Sequence, residues 1–231
     1  ITDPRNLTYL TNEYDAAGRV VRQTQADGGV FTFAYALAGD SITATTVTDP
    51  RGNTTLHRFN GQGFPHSTTD ALGQTTTFEY AQGTNLLVAT TDPLGRTTRF
   101  TYDALGNVAT TTDPAGHQRT FTYDPTFKKV ASITDPLGQV TQFGYDAQGN
   151  LTSITDPLGK LTTLTYNAAG QPITTTDPLG NTTTFSYDGQ GNLASTADPL
   201  GNTTSFQYDG VSRLVRQTDP RCQSVSLCDD A

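Results

Sequence analysis

Residues 145–159 read YDAQGNLTSITDPLG, and this short stretch decides the fold. It holds two chain-reversing signals, Tyr-Asp-x-x-Gly-Asn and Thr-Asp-Pro-Leu-Gly, with a run of strand-forming residues between them. In the second signal Asp bonds forward to the backbone, Pro presets φ and Gly closes the reversal, which predicts a type I turn. In the first signal Gly is free to adopt positive φ, which predicts a longer hairpin loop.

The Thr-Asp-Pro signal recurs along the chain. Its Asp is found at eleven positions, and every interval after Asp27 is 21 or 22 residues. Pro follows the Asp at nine of the eleven positions, with Gly28 and Ala71 as the exceptions. Self-similarity at a fixed period is typical of repeat architectures. After the less regular Asp3 and Asp27, the predicted repeat-turn aspartates are Asp49, Asp70, Asp92, Asp113, Asp135, Asp156, Asp177, Asp198 and Asp219.

An aromatic residue also recurs along the chain, and its positions alternate with those of the Thr-Asp-Pro signal. From Asp49 onward the distance from Asp to the aromatic residue is always ten residues, whereas the distance from the aromatic residue to the next Asp is 11 or 12. Variation in length is therefore expected in or just after the Tyr-Asp loop. The predicted repeat aromatics are Tyr14, Tyr35, Phe59, Tyr80, Tyr102, Tyr123, Tyr145, Tyr166, Tyr187 and Tyr208.

Short runs of strand length lie between the turns, for example residues 181–187 and 193–197. Period-two alternation places Thr183, Phe185 and Tyr187 on one face of the first run. A single hairpin cannot bury such an aromatic pair, but hairpins stacked side by side could form an aromatic ladder. We therefore predict an all-β chain of tandem β-hairpin repeats. If the ring of Tyr187 is fully buried, its replacement by Ala should cost about 3 to 5 kcal/mol.

The composition excludes several classes of protein. Thr accounts for 45 of the 231 residues, and Thr favours strands over helices, so a helical bundle is excluded. No run approaches the ~20 apolar residues of a membrane-spanning helix, and we predict no membrane insertion. The formal net charge of -8 and the absence of a basic stripe argue against a nucleic-acid partner.

The two-part motif closely resembles the Rhs or YD-repeat family, whose hallmark is Tyr-Asp-x-x-Gly-x-Leu followed by Thr-Asp-Pro-x-Gly about every 21 residues. Residues 145–159 match it fully, as do residues 187–193, and the resemblance covers residues 1–221. The resemblance implies a curved or spiralling β-sheet strip that is part of a hollow shell. In bacterial Rhs proteins and insecticidal toxin complexes such a shell holds a C-terminal toxin. In teneurins and wall-associated proteins similar repeats form extracellular barrels.

The resemblance also implies a role. We expect a non-enzymatic shell segment that is secreted or displayed at the cell surface. Its partners are then the remainder of a larger Rhs/YD-repeat chain and the toxin cargo. The family's shell usually ends in a plug with an Asp-based self-cleavage site and a variable toxin. Neither is recognisable in this sequence, so no protease or toxic activity is assigned, and we expect a fragment of a longer protein.

Three regions are predicted from the regularity of the repeat: irregular N-terminal repeats at 1–48, regular repeats of 21–22 residues at 49–221, and a tail at 222–231. The tail holds both cysteines, Cys222 and Cys228. They could form a local disulfide, bridge to another chain or have no special role, and their spacing does not suggest zinc.

No catalytic, metal-binding or cofactor-binding set emerges. His57, His66 and His117 are scattered, and the acidic residues recur at turns, where turn chemistry requires them. Two alternatives stay open. An extracellular structural or adhesive module could associate with copies of itself through open sheet edges and form filaments. Alternatively, exposed rings of the tyrosine ladder could bind glycans.

Overall fold

The computed structural model describes residues 9–219, and these residues form twenty β-strands and no helix. The chain divides into two units at the start of β11, between Gln118 and Arg119. The first unit contains β1 (Leu10–Tyr14), β2 (Val20–Gln25), β3 (Val30–Ala38), β4 (Ser41–Thr48), β5 (Thr54–Phe59), β6 (Pro65–Thr69), β7 (Thr75–Tyr80), β8 (Leu87–Thr91), β9 (Thr97–Tyr102) and β10 (Val108–Thr112). The second contains β11 (Gln118–Tyr123), β12 (Val130–Thr134), β13 (Val140–Tyr145), β14 (Leu151–Thr155), β15 (Leu161–Tyr166), β16 (Pro172–Thr176), β17 (Thr182–Tyr187), β18 (Leu193–Ala197), β19 (Thr203–Tyr208) and β20 (Leu214–Thr218).

Each unit is an antiparallel meander. Within a unit every strand pairs with the next strand in the chain, from β1–β2 to β9–β10 and from β11–β12 to β19–β20. Period-two alternation and a reversal signal about every ten residues favour this arrangement. The prediction of an all-β chain of tandem hairpins is confirmed.

Two kinds of connection alternate along each meander. The Asp-Pro turn joins strands with unbroken register, as in β16 and β17, where Thr174 pairs with Thr184 and Thr176 with Thr182. The Tyr-Asp loop joins strands through a β-bulge, as in β17 and β18, where the register shifts between Ser186 and Tyr187. A bulge increases the local twist of the strand pair, so each repeat contains one point of increased twist.

The two faces of the strands differ in chemistry. On β17 the aromatic face carries Phe185 and Tyr187, both half-buried, and the opposite face carries Thr182, Thr184 and Ser186. We call this opposite face the hydroxyl face. Short hydroxyl–hydroxyl bonds join neighbouring strands there, such as Ser186 Oγ to Ser195 Oγ at 2.7 Å. The sequence pattern thus sorts rings to one face and small hydroxyls to the other.

Neither face is sealed by a second layer among the described residues. The main contacts of each strand are with the strands before and after it within its unit, and no large side chain is fully buried. Four of the described residues are buried, and all of them are small: Ala44, Ser67, Ala89 and Gly149. The first three lie on the hydroxyl face opposite longer side chains of neighbouring strands, as Ala89 does opposite Arg99. The structure is therefore held mainly by backbone pairing and turns rather than by a closed core.

Candidate functional site: the repeated turns and the tyrosine ladder

The Asp-Pro turn is built around one carboxylate. At Asp177 the backbone N–H donates to the carbonyl of Asn181 at 2.9 Å, and Gly180 N–H donates back to the carbonyl of Asp177 at 3.0 Å. Asp177 Oδ1 accepts two further backbone N–H groups, from Leu179 at 2.8 Å and from Asn181 at 2.9 Å. Gly180 has a φ of 86°, which only glycine adopts without strain.

The Tyr-Asp loop has the same frame, so the prediction of a longer loop is wrong for the regular repeats. At Asp188 the N–H donates to Asn192 at 2.9 Å, and Oδ1 accepts from Gln190 at 2.9 Å and from Asn192 at 2.8 Å. Proline is not needed for this frame, because the N–H of the second residue takes no part in it. Both ends of most regular hairpins are therefore closed by the same frame, which Asp heads at most turns and Asn heads at Asn60 and Asn167.

Two Tyr-Asp loops are one residue longer. In them Ala81 N–H donates to Leu86 and Asp124 N–H donates to Lys129, each at 2.8 Å and spanning five residues instead of four. These loops lie in the two periods of 22 residues between Asp70 and Asp135. The variation in length thus falls where the spacing predicted it.

Eight of the nine predicted repeat-turn aspartates head such a frame, with Oδ1 accepting from the backbone two and four residues further on. Asp219 is the last described residue, so its turn falls outside the described range. The earlier Asp27 differs, because Gln25 heads that turn and Asp27 takes its third position. The eight are Asp49, Asp70, Asp92, Asp113, Asp135, Asp156, Asp177 and Asp198.

Whether the second carboxylate oxygen, Oδ2, accepts a hydrogen bond depends on the residue four positions further on. Asn181 donates its Nδ2 to Asp177 Oδ2 at 2.8 Å, and Arg96 donates its Nε to Asp92 Oδ2 at 2.6 Å. The side-chain bond from Asn181, followed by its backbone N–H, lowers the pKa of Asp177. At Asp92 the backbone N–H of Arg96 is the main cause of a lowered pKa. At these two turns the hydrogen bonds therefore favour the charged carboxylate.

The hydroxyls of five repeat tyrosines tie a hairpin to the one before it. Tyr187 Oη donates to the carbonyl of Pro172, the first residue of β16, at 2.9 Å. The β16–β17 ladder ends at Thr174 and Thr184, so this hydroxyl closes the end that the ladder leaves open. The same bond, always 15 residues back along the chain, joins Tyr35 to Val20, Tyr102 to Leu87, Tyr145 to Val130 and Tyr166 to Leu151 at 2.6 to 2.8 Å.

The remaining predicted aromatics vary in environment. Tyr14 is 59% exposed, whereas Phe59, Tyr80, Tyr123 and Tyr208 are half-buried at the ends of their strands. Tyr80 packs against Phe64 with ring centroids 5.4 Å apart. In the ladder, hydrogen bonds from tyrosine hydroxyls to backbone carbonyls are thus more numerous than contacts between rings. The sequence carried a signal for these bonds, since nine of the ten repeat aromatics are Tyr rather than Phe.

Consecutive Tyr-Asp loops also contact each other. Lys129 Nζ donates to the carbonyl of Gly149 at 2.6 Å and lies 5.7 Å from the ring centroid of Tyr145. Gln171 Nε2 donates in the same way to the carbonyl of Gly191 at 2.8 Å. The Phe127 ring lies so close to Gly149 that a Cβ there would come within 2.8 Å of it. The loops therefore form a stacked row along one end of the hairpins.

Leucine occupies the exposed tip of most Asp-Pro turns. No backbone requirement explains it, because Arg51 and Ala115 hold the same position in other turns. These side chains are 76% to 87% exposed, and they are Leu72, Leu94, Leu137, Leu158, Leu179 and Leu200.

The histidines do not come together. His57 Nδ1 lies 3.1 Å from Thr68 Oγ1, His117 Nδ1 lies 2.9 Å from Asp113 Oδ2, and His66 lines a separate cleft. Among residues 9–219 no group of three or more metal-ligating side chains occurs. Within the same range no helix is long and apolar enough to cross a membrane. Cys222 and Cys228 lie outside the described residues.

A family model described as RHS Repeat matches residues 14–54, 83–118, 123–161, 166–203 and 187–221, which together make up more than half of the chain. No curated protein matches the sequence.

Solved structures with a similar fold include the TcdB2-TccC3 complex, at 16% identity and a TM-score of 0.55. The alignment covers 91% of this chain and 12% of that one. A Tc holotoxin pore from Photorhabdus luminescens and TcdB2-TccC3 without its hypervariable C-terminal region also match, with 16% identity and TM-scores of 0.46 and 0.45. Each alignment covers 89% of this chain and 16% of the other. The chain thus spans a small part of the length of these proteins.

Proposed function

Because the chain belongs to the RHS repeat family, we propose that it is a non-enzymatic structural segment of a shell that encapsulates a C-terminal toxin for secretion and delivery. The observation that carries the proposal is the uniform repeat. Most regular hairpins are closed at both ends by the same frame, headed by Asp or Asn, and hydroxyls of the tyrosine ladder bond one hairpin to the one before. Such a unit can be added many times without a change in geometry, which suits a wall.

The chemistry of the repeat supports a structural role. Asp177 and Asp188 bind backbone N–H groups, and Tyr187 binds a backbone carbonyl. Carboxylates that act as general acids or bases need raised or matched pKa values, whereas the pKa of Asp188 is lowered, first by the side chain of Asn192. These side chains stabilise the sheet and are poorly suited to proton transfer at neutral pH.

The rest of the proposal concerns the parent protein. The partners would be the remainder of a larger RHS-repeat chain and its toxin cargo, and the assembly would be secreted or displayed at the cell surface. Residues 49–221 would form regular wall, residues 1–48 a less regular part of it, and residues 222–231 a tail. The fold likeness to TcdB2-TccC3, of which this chain matches 12%, supports a wall that is much longer than this segment.

Protease protection of the parent chain tests the proposal. The coding sequence on both sides of the segment would be recovered, and the full parent expressed and treated with a non-specific protease. We expect the region after the repeats to resist cleavage in the intact parent and to be cleaved rapidly when expressed alone. A parent without a region after its repeats, or with one that is cleaved equally fast in both forms, would contradict encapsulation.

The exposed leucines favour a second candidate, an extracellular structural or adhesive module that associates with itself. Leu137, Leu158, Leu179 and Leu200 recur at the same turn position and are 80% to 87% exposed. If these tips lie side by side on consecutive hairpins they form a contiguous apolar surface, and such a surface marks a site of interaction. Copies of the chain could pack along these tips, and Cys222 and Cys228 could lock the joints as disulfides.

Light scattering over a range of protein concentration, with and without reductant, tests this candidate. Self-association should raise the apparent mass with concentration, and a variant with all four leucines replaced by Asn should stay monomeric. Negative-stain microscopy would show whether the assemblies are filaments. A wild-type chain that is monomeric at the highest concentration would rule this candidate out.

A further inference from the structure

Asn60 is the one asparagine of the sequence that a glycine follows. It heads the turn between β5 and β6, and Gly61 is the second residue of that turn. The backbone nitrogen of a residue can attack the side-chain amide of a preceding asparagine, because the two groups together close a cyclic imide. Glycine hinders this attack least, since it has no Cβ. The pair is therefore a candidate for a reaction of the chain with itself.

The backbone nitrogen of Gly61 is free to react. In this turn Asn60 N–H donates to the carbonyl of Phe64, and Gly63 N–H donates to the carbonyl of Asn60, each at 2.9 Å. Gly61 N–H, in contrast, donates to no group of residues 9–219. Gly61 is exposed, and a Cβ built on it would meet nothing within 4 Å. Base in the solvent can therefore reach this N–H and remove its proton.

The side-chain amide of Asn60 is arranged for attack. Its Oδ1 accepts backbone N–H groups from Gln62 and Phe64, each at 3.0 Å. Negative charge develops on this oxygen when a nucleophile adds to Cγ, and donors that already point at the oxygen stabilise that charge. The Nδ2 group, which would leave as ammonia, makes no hydrogen bond within the described part of the chain. The turn therefore polarises the amide without holding its leaving group.

Asn167 heads the same frame but lacks two of these features. Its Oδ1 accepts from Ala169 and Gln171, each at 3.0 Å, and it is half-buried as Asn60 is. However, its Nδ2 donates to Gln171 Oε1 at 2.9 Å. The next residue is Ala168, whose methyl group hinders an attack by its backbone nitrogen. Reactivity is thus expected at Asn60 and not at Asn167.

Asp188 provides the opposite comparison. The glycine that follows it, Gly189, has the same open space around it as Gly61. The head of this turn is a carboxylate, however, and the Asn192 side chain is the main cause of its lowered pKa. A carboxylate that stays charged is a poor target for a nucleophile. A glycine in the second turn position is therefore not sufficient, and the amide of Asn60 is needed as well.

We propose that Asn60 is a self-modifying site, at which the chain converts this asparagine to aspartate through a cyclic imide. The Gly61 nitrogen gives up its proton and bonds to Asn60 Cγ, the bond from Cγ to Nδ2 breaks, and Nδ2 leaves as ammonia. Water then opens the imide. In sum, one amide and one water become one carboxylate and one ammonium ion. The reaction requires neither cargo nor parent chain, so it stands or falls independently of the proposed shell function.

The frame also selects between the two products of ring opening. The N–H groups of Gln62 and Phe64 polarise the Cγ carbonyl, and water that adds there breaks the new bond and leaves aspartate. Addition at the other carbonyl leaves isoaspartate, which routes the main chain through the side chain and disrupts the turn. Asp70, the head of the next turn, shows that a carboxylate fits the frame, since its Oδ1 accepts N–H groups at 2.8 and 2.9 Å. Aspartate should therefore be the main product.

Peptide mapping by mass spectrometry during incubation of the 231-residue chain tests the proposal. Asn60 should be lost with time, and faster as the pH is raised above neutral, because the attacking nitrogen must be deprotonated. Asn167 should stay intact over the same period. Electron-transfer fragmentation distinguishes the two products. Aspartate should predominate in the folded chain, whereas isoaspartate should predominate in the chain unfolded by guanidinium chloride, where no N–H group directs the water.

Gly61→Ala should slow the loss of Asn60 severalfold or more, while circular dichroism stays as in the wild type because the added Cβ meets no neighbour. Gly189→Ala is the matched control, since Gly189 holds the same turn position, and it should leave the rate at Asn60 unchanged. The proposal is overturned if Asn60 stays intact in the folded chain or if Asn167 is lost equally fast. It is also overturned if isoaspartate predominates in the folded chain or if Gly61→Ala reacts as the wild type does.

Discussion

The hydroxyl of Tyr187 donates a hydrogen bond of 2.9 Å to the carbonyl of Pro172, across a strand pair whose ladder has already ended at Thr174 and Thr184. Removing the hydroxyl alone isolates this contact. We expect Tyr187→Phe to lower the free energy of unfolding by about 1 kcal/mol, the usual net contribution of one hydrogen bond. The measurement is the denaturant midpoint at an unchanged m-value. Tyr14→Phe serves as the control, because Tyr14 is 59% exposed, and equal losses in the two variants would contradict the ladder.

Removal of the whole ring is a separate prediction. A cost of about 3 to 5 kcal/mol applies to an aromatic side chain that is fully buried. Tyr187 is half-buried, so we expect Tyr187→Ala to cost about 2 kcal/mol, from the lost hydrogen bond and part of the lost apolar burial. Denaturation of this variant beside Tyr187→Phe separates the two contributions. A cost below about 0.5 kcal/mol, the size of a surface substitution, would mean that the ring contributes nothing.

The strands could be predicted from the sequence because their signals are local. Residues 181–187 and 193–197 were predicted as strands, and the structure has Thr182–Tyr187 and Leu193–Ala197. Alternation of Phe185 and Tyr187 with small hydroxyl residues was sufficient for this. The partner of the Tyr187 hydroxyl was not predictable in the same way, because Pro172 belongs to another repeat and its position depends on where the ladder ends.

The turns show a second limit of prediction from the sequence. Asp-Pro-Leu-Gly and Tyr-Asp-x-x-Gly look different, yet both use the same bonds from Asp Oδ1 to backbone N–H groups. Proline suggested a distinct turn, although it only presets a φ that the frame adopts in any case. At Asp27 the spacing alone misplaced the turn, which Gln25 heads.

A side-chain amide four residues after the turn Asp holds its carboxylate in the charged form. Asn181 Nδ2 donates to Asp177 Oδ2 at 2.8 Å and is the main cause of the lowered pKa of Asp177. We expect Asn181→Gln to raise the pKa of Asp177 toward its ordinary value, because the longer side chain no longer fits the contact. Titration followed by carboxyl NMR measures this. Asp188, whose partner Asn192 is unchanged, is the internal control and should keep its lowered pKa.

Acid should destabilise the protein through the same turns. A carboxyl whose pKa is lower in the folded than in the unfolded chain contributes stability above its unfolded pKa of about 3.9, and that contribution is lost as the pH falls through the folded value. We therefore expect a stability that is nearly constant from about pH 5 to 7 and falls steadily below about pH 4. The aspartates with lowered pKa are Asp15, Asp49, Asp92, Asp103, Asp113, Asp146, Asp177, Asp188, Asp198 and Asp209.

The check on acid destabilisation is the urea midpoint, followed by circular dichroism at a series of pH values and constant ionic strength. Because many turns titrate together, the loss should be gradual rather than a single step. A midpoint at pH 3 equal to that at pH 7 would show that the turn carboxylates add no stability.

Replacing Gly149 and Gly201 by Ala distinguishes the stability cost of backbone strain from that of disturbing the contact between loops. Both have positive φ, 83° and 84°, so replacement by Ala should cost each about 1 to 2 kcal/mol. At Gly201 a Cβ would meet nothing within 4 Å, whereas at Gly149 it would lie 2.8 Å from the Phe127 ring of the preceding loop. We expect Gly149→Ala to cost clearly more than Gly201→Ala, measured as the shift in urea midpoint.

A double-mutant cycle then assigns the excess to the contact between loops. In a Phe127→Ala background the ring is absent, and the cost of Gly149→Ala should fall to that of Gly201→Ala. The cost of Gly201→Ala should not change in that background, because its loop is remote from Phe127 in the sequence and its Cβ would have no neighbour. If Gly149→Ala costs the same with and without the Phe127 ring, the two loops do not support each other, and the stacked row of loops contributes no stability to the repeat.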